Sequence, residues 1–194
     1  MSKKRSIVTV QLHPEPATEL ASDEIKALLR GADDLIARGG RTLLSKVLKG
    51  SKDKKVLGLR LNESPSYGYF RHLSLNEIVA KIDWLIAHYY LRYEYEGRLP
   101  VLMYSPLGWE IEKETYSEEL WERFRNLAES GRTDYNAVDL KDRNRELVFL
   151  LLEKIRDRGD DRYIPLLRSW EEIEYKKVQQ HIRSVIESLK TRTA

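Results

Sequence analysis

The stretch that most limits what this chain can fold into is Ser74-Leu-Asn-Glu77 with the two elements behind it. Ser and Glu three residues apart form a capping box, in which each side chain satisfies a backbone N–H that the helix start leaves free. Leu75, Ile78, Val79, Ile82, Leu85, Ile86 and Tyr89 follow at helical spacing and predict one buried stripe. The outer face is then expected to carry Asn76, Glu77, Lys81, Asp83 and His88. Directly afterwards the period changes. Leu91-Arg-Tyr-Glu-Tyr95 alternates, Glu96-Gly97-Arg98 turns the chain, and Val101-Leu-Met-Tyr104 returns. Pro100 lacks an N–H and suits a strand end or an edge. A capped helix followed at once by a hairpin is the order of a winged helix. The expected fold is therefore mainly α with a small β-hairpin wing.

Upstream, Ser22 reads as an N-cap with Asp23 and Glu24 in the first turn. Ile25, Leu28, Leu29, Ala32, Leu35 and Ile36 share one face, and Gly39-Gly40 ends that helix. A second helix over Arg41–Lys49 turns Leu43, Leu44, Val47 and Leu48 inward and stops at Gly50. Gly50–Lys55 reads as a basic loop. Apolar character resumes at Val56, Leu57, Leu59 and Leu61, and Tyr67-Gly68-Tyr69-Phe70 forms a dense aromatic group.

Downstream, an acidic segment from Trp109 is expected to be helical from Ser117, with Leu120, Trp121, Phe124 and Leu127 on one side. Further helices are expected over a stretch marked by Leu140, Leu147, Val148, Leu151, Leu152 and Ile155, around Ile164–Trp170, and in a long last stretch from about Ile173 to Leu189. The expected organisation is a tail at 1–20, a winged-helix domain at 21–116, a helical linker at 117–133 and a C-terminal helical bundle at 134–194.

Bulk properties exclude several classes. No apolar run approaches the ~18–20 residues that cross a bilayer, so no membrane association is expected. The Met-Ser-Lys-Lys-Arg start meets Pro14 and Pro16 too soon to be a signal peptide. There is no Cys, hence no disulfide, no thiolate nucleophile and no Cys-ligated zinc. The four His are scattered at His13, His72, His88 and His181, without metal-ligand spacing. No metal, no cofactor and no enzymatic activity are expected, and the expected compartment is the cytoplasm.

Net charge is only +3, so its distribution carries the information. Arg38, Arg41, Lys46, Lys49, Lys52, Lys54, Lys55 and Arg60 lie close in sequence against one acid, Asp53. Beyond them the balance turns acidic, with Glu110, Glu112, Glu114, Glu118, Glu119 and Glu122 read as a solvated helix face. The positive charge is thus one local patch.

The ordered set Leu48-Lys-Gly-Ser-Lys52, Tyr67-Gly68, capped helix, Pro-Val-Leu hairpin and Ser105-Pro-Leu-Gly108 resembles the RQC domain of RecQ-family DNA helicases. The resemblance covers roughly residues 33 to 112. It implies a winged helix that binds duplex or branched DNA, largely through phosphates, with the family's backbone-contacting Arg-Gly-Ser carried onto Lys49, Gly50 and Ser51. Two departures stand out. No Gly-x-x-x-x-Gly-Lys-Ser/Thr segment supplies a helicase motor, and the zinc-binding cysteines of those helicases are missing. The whole resembles a stand-alone bacterial RQC-type DNA-binding protein. Where some members carry a strand-separating aromatic at the wing tip, this chain has Arg98, so the wing is expected to clamp and not to wedge.

The expected DNA contacts are Arg41, Lys46, Lys49, Gly50, Ser51, Lys52, Lys54, Lys55, Arg71, His72, Ser74 and Arg98. Backbone N–H groups near Gly50 and the Ser51 hydroxyl would receive phosphate oxygens, with the lysines supplying charge. Arg71, His72 and Ser74 would do so at the entrance of the capped helix. That helix is read mainly as scaffold, since Glu77 and Asp83 suit a phosphate-lined groove poorly. Tyr67, Tyr69, Phe70, Tyr89, Tyr90, Tyr93 and Tyr95 are read as packing residues. The expected function is a non-enzymatic accessory factor in DNA repair, replication or recombination, whose C-terminal helices position a helicase or repair protein. The alternatives are a protein-interaction module and a transcription regulator built on a winged helix.

Overall fold

The computed structural model describes residues 10–13, 19–137, 140 and 143–192. It is mainly α with one two-stranded hairpin among the described residues, a winged helix followed by C-terminal helices. Two compact units divide it, Met1–Glu112 and Lys113–Ala194. Of the tail expected at 1–20, residues 1–9 and 14–18 lie outside the described residues, and Val10, Gln11 and Leu12 form no strand.

In the first unit, α1 spans Ser22–Ala32. Its N-cap is Ala21 and not Ser22. Alanine has no side-chain acceptor, and Glu24 Oε2 instead reaches back to accept the Ala21 N–H at 3.2 Å. The helix also ends earlier than the Gly39-Gly40 pair suggests, passing into a 3-10 turn at Asp33–Leu35. Ala37 then takes a φ of 63° and donates its N–H to the Leu102 carbonyl at 3.0 Å. The Leu102 N–H donates to Gly39 at 2.9 Å. The chain thus leaves the helix axis to lie along the hairpin, tied to it by these two backbone hydrogen bonds.

Helix α2 spans Arg41–Lys49 and buries Leu43, Leu44, Val47 and Leu48 as expected. It ends at Gly50, whose φ of 76° only glycine adopts without strain. The Gly50 and Ser51 N–H groups cap it, donating to the Val47 and Lys46 carbonyls at 2.9 Å each. A Cβ on Gly50 would lie 3.1 Å from the Gly68 Cα, so the two glycine turns press backbone to backbone. The Gly68 and Phe70 N–H groups complete this contact on the Val47 and Leu48 carbonyls, both at 2.9 Å. The basic loop is shorter than expected, because Lys54 already begins helix α3, Lys54–Gly58.

Helix α4 spans Leu75–Ala87, with the capping box in place: Ser74 Oγ accepts the Glu77 N–H at 3.3 Å, and Glu77 Oε2 accepts the Ser74 N–H at 2.7 Å. No residue from Ile78 to Ile86 is exposed. Asp83, expected outside, is fully buried, and Lys81 pairs with Glu24 at 2.7 Å. Two expected core residues lie outside: Leu75, on the first turn, is 42% exposed, and Tyr89, past the helix end at a φ of 62°, is 79% exposed.

Strands β1 (Leu91–Glu96) and β2 (Leu99–Tyr104) pair antiparallel, Leu91 opposite Tyr104 and Glu96 opposite Leu99, across a two-residue turn at Gly97-Arg98. The hairpin is closed at its base by Ser105. The Ser105 N–H donates to the Tyr90 carbonyl at 3.1 Å, and its Oγ accepts the Gly108 N–H at 3.0 Å, starting helix α5. Helix α5 spans Pro106–Glu129, so the helix expected from Ser117 begins a few turns earlier.

In the second unit the remainder of α5 packs with α6 (Arg145–Arg158), α7 (Ile164–Glu171) and α8 (Lys176–Arg192). Trp121, Phe124, Leu151, Leu152, Leu167 and Trp170 lie in its core. Segment 117–133 therefore contributes core residues to this unit. The acidic run on α5 is not simply a solvated face. Lys154 bridges Glu114 and Glu118, and Arg158 meets Glu118 at 2.6 Å. In the first unit Glu112 is buried 3.7 Å from Arg30.

Two substitutions test this packing. A Cβ on Gly108 would sit 1.9 Å from the Tyr90 carbonyl oxygen. Gly108→Ala is expected to lower the unfolding free energy by about 3 kcal/mol or more, read from urea unfolding. An unchanged midpoint would contradict the close approach. The Tyr93 hydroxyl is buried without a hydrogen-bond partner among the described residues, and burial raises its pKa to about 12 from an ordinary 10.0. The neutral phenol therefore contributes stability that is complete below pH 10.0 and lost as pH rises toward 12. Tyr93→Phe is expected to change neutral-pH stability by no more than about 1 kcal/mol and to remove that part of the alkaline loss.

Candidate nucleic-acid interface

The expected contact residues separate into three groups according to what already engages them. The first group is committed to the fold. Arg41 Nη1 lies 2.6 Å from both carboxylate oxygens of Asp83, and the His13 N–H donates to the same carboxylate at 2.9 Å. Lys49 Nζ donates to the Arg71 and Leu73 carbonyls at 2.7 and 2.6 Å, holding the turn that enters α4. The Gly50 and Ser51 N–H groups, expected to receive phosphate, cap α2 instead. The Ser51 Oγ accepts the Asp53 N–H at 3.2 Å, and Ser74 is held in the capping box.

The second group is neutralised in part. Lys46 Nζ meets Asp53 Oδ2 at 2.9 Å, with both side chains about one third exposed. The hydrogen bond from Lys46, then that from the Lys55 N–H, holds the Asp53 carboxyl below its usual range. One lysine of the patch is thereby spent on the single acid within it, and Asp53 also caps α3 through the Lys55 N–H at 2.9 Å. Arg71 donates its Nε–H to the Gly68 carbonyl at 3.2 Å and is otherwise exposed.

The third group is exposed and makes no ion pair among the described residues: Lys52, Lys54, Lys55, His72 and Arg98. Lys52, Lys54 and Lys55 follow one another around the start of α3. Across the Gly50–Gly68 contact, the Arg71 guanidinium lies beside Gly68. The entrance of α4 is not purely positive. Glu77 sits there, its carboxyl held low by the Ser74 hydroxyl first, with His72 and Lys49 adding attraction.

Arg98 stands apart. The hairpin lies beside the start of α2, where a Cβ on Gly40 would lie 3.0 Å from the Pro100 carbonyl oxygen. The lysines lie beyond its other end. α2 has nine residues, which separates its ends by roughly 12 Å at about 1.5 Å per residue. The wing itself is mixed in charge: Arg92 is paired with Glu94, and Glu96 precedes the turn. The structure therefore leaves Lys52, Lys54 and Lys55 exposed around the start of α3, Arg71 beside the Gly68 turn that Gly50 meets, and Arg98 exposed at the wing turn.

Residues that sequence reasoning missed are Asp83, which takes Arg41 out of the basic surface, and Glu24, which does the same for Lys81. The spacing of α4 gave no signal for either, because both acids meet partners distant in sequence. Tyr95, expected to pack, is largely exposed near the wing tip. Among the described residues no group of three His, Asp or Glu is placed to hold a metal ion, and no helix is long and apolar enough to cross a membrane.

The division between committed and unengaged cations has a stability readout. Arg41→Met leaves the buried Asp83 carboxylate without its ionic partner and is expected to cost roughly 3 kcal/mol in urea unfolding. Lys54→Met is expected to change stability by less than about 0.5 kcal/mol. Equal effects would contradict the grouping.

Comparison with known proteins agrees with this geometry. The family model of the RQC domain matches residues 15–126, more than half of the chain. An ATP-dependent DNA helicase RecQ of Bacillus subtilis (strain 168) is 38% identical over 71 residues, a match that covers 37% of this chain and 12% of that helicase. No solved structure matches the chain. With its capped and buried α4, its wing closed on Ser105 and Gly108, and its paired glycine turns, the chain belongs to the RQC domain family.

Proposed function

We propose that this protein is a non-enzymatic DNA-binding protein that grips the backbone of duplex or branched DNA through its RQC winged helix. The observation that carries the reading is the run of Lys52, Lys54 and Lys55, exposed and without ion pairs among the described residues, on a turn capped by Asp53, with Arg71 across the Gly50–Gly68 contact. Phosphate contacts position a protein on DNA without reading sequence. Helix α4 supports that division of labour: no residue from Ile78 to Ile86 is exposed, and its exposed first turn carries Leu75, Asn76 and Glu77, a poor match to a phosphate-lined groove. A sequence-specific regulator would need a face that fits such a groove. Arg98 at the wing tip supplies a second phosphate contact, so that lysine cluster and wing act as a two-point clamp.

The biological role that fits is an accessory factor in DNA repair, replication or recombination, acting in the cytoplasm. The C-terminal unit has its own core and contains none of Lys52, Lys54 and Lys55. We assign it to holding a protein partner such as a helicase or repair factor.

Fluorescence anisotropy with labelled blunt and forked duplexes tests the reading. Micromolar or tighter binding is expected at low salt, with log K falling against log salt at a slope on the order of −4 to −5 for about five phosphates neutralised. Lys52→Glu/Lys54→Glu/Lys55→Glu is expected to abolish binding, and Arg98→Glu to weaken it. Wild-type protein that binds neither duplex at low salt would overturn the proposal, and a triple variant that binds like wild type would move the site elsewhere.

A further inference from the structure

The hairpin has one edge covered and one bare. Leu102, on β2, spends both backbone groups on the chain before α2: its N–H donates to Gly39 at 2.9 Å, and its carbonyl accepts from Ala37 at 3.0 Å. In an antiparallel ladder the N–H and C=O of one residue point to the same side. Leu102 therefore turns away from β1, and Tyr93, which stands opposite, turns away from β2. The same alternation sends the Tyr95 backbone outward, opposite Pro100, which has no N–H to give. Tyr90 agrees with this phase, since it accepts the Ser105 N–H across the hairpin base. The sheet has two strands among the described residues, and no hydrogen bond there meets the outward groups of Tyr93 and Tyr95.

A bare edge is normally blocked by lysine, proline, a bulge or a very short strand. β1 has none of these. Its residues pair with β2 without a break from Leu91 to Glu96, and neither Lys nor Pro is among them. Nor does charge block it. Arg92 and Glu94 share one face, are opposite in sign and are each about half exposed. Two copies of this strand, run antiparallel about a two-fold axis at Tyr93, set each Arg92 directly opposite the partner's Glu94. The adjacent registers that keep the outward groups paired set Arg92 against Arg92 or Glu94 against Glu94. Like charges directly opposite are unfavourable, so one register is selected.

We propose that the β1 edge is the pairing surface for a second copy of this chain, joined antiparallel about a two-fold axis at Tyr93 with each Arg92 facing the partner's Glu94. The Tyr93 backbone groups of the two copies bond to each other, and the two hairpins become one continuous sheet. Tyr95, 46% exposed, then stands opposite the partner's Leu91, on the other face from the charges. Any extended peptide could use the same backbone groups. The alternating charges select an identical strand in reverse. Gly97 and Arg98 lie beyond the paired stretch, so the wing turn stays free, and the dimer stands whether or not the protein binds DNA.

Sedimentation velocity of the DNA-free protein over a concentration series tests this. Wild type is expected to dimerise with a Kd of roughly 10–100 μM, because one strand pair makes a small interface. Arg92→Glu and Glu94→Arg are each expected to weaken self-association by about 10-fold, since each sets like charges opposite one another on both sides of the axis. Within either variant chain, residues 92 and 94 carry the same sign. An equal mixture of the two therefore restores opposite charges between chains and not within them, and is expected to regain association to within about threefold of wild type. Tyr95→Pro removes an outward N–H and no hairpin bond, and is expected to abolish the dimer with circular dichroism unchanged. A wild type that stays monomeric through about 500 μM overturns the proposal, as does a dimer that survives in Tyr95→Pro or a mixture that associates no better than its components. A monomer whose Tyr93 and Tyr95 amides resist hydrogen exchange assigns the edge to another segment of its own chain and overturns the pairing.

Discussion

The buried carboxylate of Asp83 is the constraint around which the winged helix is arranged. A charge this far from water is tolerated only with partners of good geometry. Arg41, from the start of α2, meets both of its oxygens at 2.6 Å, and the His13 backbone meets one of them at 2.9 Å. Those contacts tie the start of α2 to α4 and bring the His13 backbone to the same carboxylate. With α4 enclosed, the contacts we propose lie at its ends and beside it: the lysine turn after α2, the α4 entrance and the wing.

The same economy of charge runs through the basic region. Of the cations that stand close together in sequence, Arg41 serves Asp83, Lys46 serves Asp53, and Lys49 staples two carbonyls in the turn before α4. Three consecutive uses of positive charge inside the protein build the platform on which Lys52, Lys54 and Lys55 remain outside. The two glycine turns make this possible. Gly50 and Gly68 approach so closely that side chains at either position would separate α2 from the Tyr67–Phe70 turn. The Gly50-Ser51 backbone is thus structural, and the contacts we propose fall on the residues immediately after it.

Much of this was legible in the sequence. The capping box at Ser74 and Glu77, the alternation in Leu91–Tyr95, the glycine stop at Gly50 and the inward residues of α2 are local signals, because each depends on neighbours within a few positions. The glycine of Ser105-Pro-Leu-Gly108 was visible as part of a motif, but its reason was not. Only the folded chain brings the Tyr90 carbonyl to where a Cβ would stand. The misreadings share that origin. Asp83 fell at a polar position of the α4 wheel and was placed outside; it is inside because Arg41 arrives from another helix. Leu75 and Tyr89 matched the apolar period and lie outside, because the stripe outruns the surface that α2 and the hairpin cover. The acidic run after Trp109 looked solvated, yet Glu118 finds Lys154 and Arg158 on α6.

The sequence alone determined the elements, their order and the family, because capping, periodicity and glycine punctuation are decided by short-range sterics and hydrogen bonding. It also determined where positive charge concentrates. Only the tertiary structure decided which of those charges remain available, since ion pairing depends on distances between residues far apart in the chain. It likewise decided that Leu57 and Leu59 face water, because Val56 takes the one inward position that a helix as short as α3 can offer.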